Sequence, residues 1–98
     1  MQFEWDEKKR LEVIEKRGVD ILESALIFEG RVLTKVDDRA DYGEVRYISL
    51  GLVDEEPYVV VHTERNGATR LITAWKGGQL EREQYQAGIA GRDKETEG

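Results

Sequence analysis

The sequence predicts an α+β domain. Apolar residues recur at helical spacing through the first thirty positions, and from Arg31 onward they give way to extended runs rich in β-branched and aromatic residues. An Asn66-Gly67 pair, the strongest local signal in the chain, marks a two-residue hairpin between two of those runs. At 98 residues the chain accommodates one domain around one hydrophobic core.

Residues 2–5 read as a short strand, and Asp6 is a suitable N-cap for a helix running to Arg17 with Leu11 and Ile14 on one face. Gly18 stops that helix at its C′ position. Asp20 begins a second helix, with Glu23 three residues later, whose apolar stripe is Ile21, Leu22, Ala25, Leu26 and Phe28. Gly30 ends it. Three extended segments, 31–36, 44–52 and 58–64, are joined by turn-forming loops at 37–43 and 54–57.

With Asn66 and Gly67 as the turn, the expected pairs are Arg65 with Ala68, Glu64 with Thr69, Thr63 with Arg70, His62 with Leu71 and Val61 with Ile72. Strict alternation then puts Val59, Val61, Ile72 and Ala74 on a core face, with Tyr58, His62, Glu64, Thr73 and Trp75 opposite. A last helix is expected from about 79 to about 86, because Gly88 and Gly91 weaken anything longer. The domain is thus read as residues 1–91, with 92–98 as a disordered tail lacking an apolar anchor.

Composition removes several classes of function. There is no cysteine, so disulfide frameworks, thiolate zinc sites and cysteine nucleophiles are excluded, and a reducing cytoplasm is the expected compartment. No signal peptide and no apolar run of membrane-spanning length is visible. The acidic residues Asp37, Asp38, Asp41 and 54–56 have no supporting histidine pair, so they read as solvated loops and no metal or other cofactor is expected. The formal net charge of −6 argues against generic nucleic-acid binding. Only the segment 59–85 is not acidic, with four basic residues against three acidic, so a polyanion site is expected there.

Several motifs together resemble the BrnT family of toxins. They are Phe3-Glu4-Trp5-Asp6 with Lys9, Lys16-Arg17-Gly18-Val19, Glu44 and Arg46 with Gly51, the run Val60-Val61-His62-Thr63-Glu64-Arg65, and Arg70-Leu71-Ile72-Thr73-Ala74 followed by Lys76, Glu81, Arg82 and Tyr85. The likeness spans roughly residues 3 to 85. It departs from the family's pattern at Val13, at Arg17 (where the pattern has His) and at Trp75 (where it commonly has Arg).

The resemblance implies a RelE-like fold with a short N-terminal strand, two helices, a four-stranded antiparallel portion and a C-terminal helix. It further implies a metal-independent endoribonuclease that cuts mRNA, with RNA as substrate and a BrnA-like ribbon-helix-helix antitoxin as partner. DNA would be met only through the antitoxin complex. Attack of a ribose 2′-OH on the adjacent phosphate needs a base, an acid and cations for the developing charge. Arg65, Arg70, Lys76 and His62 are the candidate catalytic residues: guanidinium and ammonium groups match phosphate, and a single histidine titrates near neutrality. Arg46, Trp75, Tyr85 and Glu64 are candidates for holding substrate, the aromatics by stacking on bases. Each has an ordinary alternative: the arginines as surface partners of Glu44 or Glu64, His62 as a structural histidine, Tyr85 as a rim aromatic, Trp75 as an antitoxin contact. The alternative function is a catalytically inactive relative that binds the antitoxin and contributes to a DNA-binding autorepressor complex.

Overall fold

The chain alternates turn-forming and apolar segments so that two layers meet over one sheet. A computed structural model describes residues 1–97, the last four by backbone alone. Strand β1 (Phe3–Trp5) leads to helix α1 (Glu7–Arg17), whose first amides are capped by the Asp6 carboxylate and which ends at Gly18 with φ of 66°. The Asp20 side chain caps α2 (Ile21–Ser24) through the Leu22 amide and is held by a two-pronged contact from Arg10, at 2.9 and 2.8 Å.

The second helix tightens part-way, into a 3₁₀ turn over Ala25–Glu29. The Ser24 hydroxyl donates back to the Asp20 carbonyl, and three-residue spacing brings Ser24 and Ile27 onto one face, both fully buried. Leu26, expected in the apolar stripe, is turned to solvent instead.

The remaining strands are β2 (Leu33–Val36), β3 (Tyr47–Val53), β4 (Glu56–Arg65) and β5 (Ala68–Lys76), in the order β1-β5-β4-β3-β2. The last four form the expected antiparallel set, and β1 joins its edge in parallel with β5. Both hairpin turns are two residues long with positive φ at each central position, Asp54 and Glu55 in one, Asn66 and Gly67 in the other. Glu56 and Pro57, expected in a loop, therefore already belong to β4.

The β4–β5 register follows the expected pairs from Arg65/Ala68 to His62/Leu71 and then breaks. A bulge absorbs Ile72, so Val61 pairs with Thr73, Val60 with Ala74 and Val59 with Trp75. The expected face assignment is corrected accordingly. Val60, Leu71 and Ala74 lie under the helices with Val13, Val19, Ile21, Ala25 and Ile27 as the core. Val59, Val61 and Trp75 lie on the opposite face with Ile48 and Leu50.

Helix α3 (Gln79–Glu97) is longer than expected. Gly88 is where the helix crosses β2: a Cβ there would clash with Leu33 Cδ1, so glycine permits the approach. The Tyr85 hydroxyl donates to the Arg31 carbonyl at 2.8 Å, and Arg31 pairs with Asp93 at 3.0 Å. The segment expected to be an unstructured tail, 92–98, is helical to Glu97, and Gly98 lies outside the described residues. Among the described residues no helix is long and apolar enough to cross a membrane.

Candidate functional site

The sheet face turned away from α1 and α2 is only partly covered, and its candidate side chains are placed by pairing register. Thr63 and Arg65 follow Val61 at alternate positions on β4, so they and their partners Arg70 and Ala68 project from this face. On the other side, Lys35 pairs with Ile48, and the Asp37 amide donates to the Arg46 carbonyl at 2.7 Å. Asp37, Arg46 and Glu44 therefore project to the same side.

The loop between β2 and β3 folds back over the sheet rather than into solvent. Its anchor is Asp37, whose fully buried carboxylate receives Arg39 Nε and Nη2, each at 2.8 Å, and the Tyr42 hydroxyl at 3.1 Å. The Arg39 guanidinium holds that carboxyl far below the usual carboxylate range, helped by the Arg39 amide and the Tyr42 hydroxyl against the opposing effect of burial. The Thr63 hydroxyl fixes the far end of the loop through the Val45 carbonyl at 2.6 Å. The expectation that Asp37 is merely solvated is thereby overturned: a cation two residues on and a phenol five residues on satisfy it in a buried position.

Three arginines gather at the hairpin end of the face. Glu44 receives Arg46 Nε at 3.0 Å and Arg65 Nη2 at 3.1 Å, and these two guanidiniums lower its carboxyl from the ordinary value, Arg46 more than Arg65. The Arg46 guanidinium also stacks 4.2 Å from the Tyr42 ring centre. Arg70 reaches Glu4 on β1 at 3.4 Å. Further along, Trp75 has the Arg17 and Arg39 guanidiniums 5.4 and 5.5 Å from its ring centre. Six basic side chains (Arg17, Lys35, Arg39, Arg46, Arg65 and Arg70) thus stand on or beside this face against four acidic ones among the described residues, Glu4, Asp37, Glu44 and Glu81. The balance opposes that of the whole chain.

Between the loop and α3 lies a groove of about 440 Å³. Leu50, Val59 and Ile48 form its floor, Trp75, Arg39 and Lys35 border it toward the loop, and Glu81 and Gln84 border it on α3. Glu81 Oε2 accepts the Gly78 amide at 2.8 Å, capping α3, and that bond keeps its carboxyl below the ordinary value.

The candidates chosen from sequence divide among several places. Arg46, Arg65 and Arg70 come together, and Trp75 lines the adjoining groove. His62 does not join them. It lies on the helix-covered side, across the sheet from Trp75, buried between the Phe28 edge and the Tyr47 ring, with Nε2 2.7 Å from Ser49 Oγ and Nδ1 without a partner among the described residues. Burial lowers its pKa below the ordinary 6.5 despite the opposing charge of Glu64. Glu64, also on the helix-side register, is exposed and accepts the Thr69 hydroxyl at 2.9 Å.

Lys76 stands at the opposite end of the sheet, 3.7 Å from Glu56, which also receives Arg82. Its partner Tyr58 is seven positions from Arg65 along β4, roughly 23 Å at strand rise. The Tyr85 hydroxyl is engaged in anchoring α3. Sequence reasoning missed Lys35, Asp37, Arg39, Tyr42 and Glu44. Two signals were available: Glu44, in the motif it shares with Arg46, and an aromatic, Tyr42, amid Asp and Gly residues whose loop chemistry alone needs none.

Residues 5–81 match the family model described as ribonuclease toxin, BrnT, of type II toxin-antitoxin system. The chain belongs to the BrnT family. Comparison with curated proteins gives no match. The family match takes in strands β2 to β5, the folded-back loop and the first turn of α3, so all five arginines of the face lie within it. Two positions read from sequence as departures from the BrnT pattern, Arg17 and Trp75, are neighbours in space: Arg17 Nη1 donates to the Ala74 carbonyl at 3.3 Å while its guanidinium meets the indole.

Proposed function

We propose that this chain is a metal-independent endoribonuclease that cuts mRNA and thereby inhibits translation, with its RNA laid across the open sheet face. The carrying observation is the concentration of six basic side chains there in a chain of net charge −6. Arg46, Arg65 and Arg70 would take phosphate oxygens, since the guanidinium fork matches them. Attack of a ribose 2′-oxygen on the adjacent phosphorus, as its proton passes to a base, forms one P–O bond and breaks the bond to the 5′-oxygen, which takes a proton from solvent water, leaving a cyclic phosphate and a 5′-hydroxyl. Glu44 is the base in this reading. Held between two guanidiniums it is ionised at neutral pH, and as Arg65 turns to phosphate the carboxylate gains basicity. Buried His62, a candidate proton carrier from sequence, and distant Lys76, a candidate phosphate cation, are given no catalytic role. A cognate antitoxin of ribbon-helix-helix type would neutralise the enzyme by covering the same cations in the cytoplasm.

A second reading, an inactive relative that serves as antitoxin-binding adaptor in a DNA-bound repressor, is favoured by one observation. Arg39, Arg46, Arg65 and Arg70 already hold carboxylates of this chain. Induced expression of the isolated protein beside Arg65→Ala, Arg70→Ala and Glu44→Gln, with growth and mRNA integrity followed, separates the two. Arrest with RNA cleavage, relieved by the substitutions in soluble protein, supports the enzyme. Unimpaired growth with abundant folded wild type supports the adaptor.

A further inference from the structure

We propose that the groove between the 37–46 loop and α3 is a nucleotide subsite that takes a guanine base against Trp75 and Arg39, with its phosphate toward Lys35. This deepens the RNA-cleaving reading by naming the base that site would select, and it rests on that reading for its biological setting.

Size and chemistry agree. A volume of about 440 Å³ lies within the range of small-ligand sites, and the floor of Leu50 and Val59 provides a dry surface for a heterocycle. Unstacked bases are held on aromatic rings and on guanidinium planes, and here an indole and a guanidinium adjoin each other. Arg39 commits Nε and Nη2 to Asp37, which fixes its plane and leaves Nη1 for a ligand. Lys35 has no ion pair among the described residues, so its ammonium is the cation in the groove that needs no exchange of partners to meet a phosphate.

The opposite border reads the base. Glu81 gives one oxygen to the Gly78 amide and keeps the other as an acceptor, and Gln84 supplies an amide with both donor and acceptor. A carboxylate requires N–H donors on the edge it faces. Guanine presents two adjacent ones, N1–H and N2–H, beside an O6 acceptor that the Gln84 amide complements. Adenine and cytosine each set a ring-nitrogen acceptor beside their amino group, and uracil flanks one N–H with two carbonyls, so each brings a lone pair against the carboxylate.

The test uses the full chain carrying Trp5→Phe, so that Trp75 is the sole tryptophan and can be excited selectively over the tyrosines; Trp5 lies on β1, outside the groove. Fluorescence is titrated with 5′-GMP, 5′-AMP, 5′-UMP and 5′-CMP. Saturable quenching by 5′-GMP is expected, at least about tenfold tighter than by the others, as a two-donor contact to one base confers. Lys35→Ala should weaken all four alike, and Gln84→Ala, an exposed helix position with no capping role, should narrow the guanine preference without lowering the melting temperature. Equal affinities, no saturation at millimolar nucleotide, or guanine preference untouched by Gln84→Ala would overturn the proposal. Guanine-selective binding by a protein that leaves RNA intact would instead refute the ribonuclease reading and keep the subsite. Cleavage of RNA without a Trp75 response would do the reverse.

Discussion

Gly51→Ala tests whether the 3₁₀ turn is seated on the sheet as described. Gly51 is buried on β3 beneath that turn, and a Cβ there would lie 2.7 Å from Ile27 Cβ and 3.2 Å from both Ile27 Cγ2 and Val32 Cγ1. Carbon contacts settle at about 3.5–4.0 Å, so relief needs a displacement of roughly 1 Å. No rotamer change supplies it, because the nearest atom is a Cβ fixed to the backbone of a fully buried residue. Overpacking of this kind destabilises by about 1–3 kcal/mol, whereas removing a strand glycine alone would stabilise by roughly 0.5–1 kcal/mol. The clash therefore sets the sign. At ~4–8 °C per kcal/mol for a domain of this size, a net loss of about 1–2 kcal/mol lowers Tm by roughly 4–16 °C. Thermal melts followed by far-ultraviolet circular dichroism would measure it. Gly91→Ala is the control: no atom lies within 4 Å of the added methyl, so helix propensity should raise Tm. A Gly51→Ala protein melting at or above wild type would refute the close seating of Ile27 on β3.

Other expectations follow from the polar core and the far end of the sheet. Ser49→Ala removes the only described partner of His62 Nε2 and should destabilise by about 1–3 kcal/mol in urea titration, with the midpoint shifted and the slope unchanged. Because burial lowers the folded-state pKa of His62, the unfolded chain binds the proton more readily. Stability from this residue is therefore complete above the ordinary value of 6.5 and declines as pH falls below it toward the folded value. Urea midpoints at pH 7.5 and 5.5 should differ by less in His62→Gln than in wild type; an equal pH dependence would dissociate the effect from this histidine. Lys76→Ala should leave RNA cleavage unchanged in an active protein, since Lys76 pairs with Glu56 away from the arginine cluster. Loss of cleavage with an unaltered melt would restore it as a functional residue.

Local rules served where the chain is local. Asp6, Gly18 and Asp20 name the helix ends because each satisfies or releases backbone groups within a few residues. Asn66-Gly67 fixed four pairs of the hairpin for the same reason. The bulge at Ile72 was invisible because nothing in its side chain marks it, and that one missing residue placed His62 and Trp75 on the same face when they lie on opposite ones. The folded-back loop was invisible for a different reason. Asp and Gly identify a turn-forming segment without saying whether it faces water, and Asp37 is buried only because Arg39 and Tyr42 close on it. Segment-by-segment charge likewise missed the basic face, whose cations come from α1, β2, the loop, β4 and β5 together. Gly88 argued against a long helix in isolation, and in the fold it is the position that lets that helix approach β2.

The bulge has a consequence for changes of length rather than of identity. Side-chain direction along a strand has a parity, and Ile72 is the one residue left out of the count between Leu71 and Thr73. Deleting Ile72 would straighten the ladder while keeping Ala74 inward and Trp75 outward. Inserting one further residue before Trp75, paired in register, would invert that arrangement and turn the indole to the helix-covered side, opposite Tyr58 at the position Lys76 now holds. Segment 71–75 should thus accept the loss of one chosen residue and reject the gain of almost any.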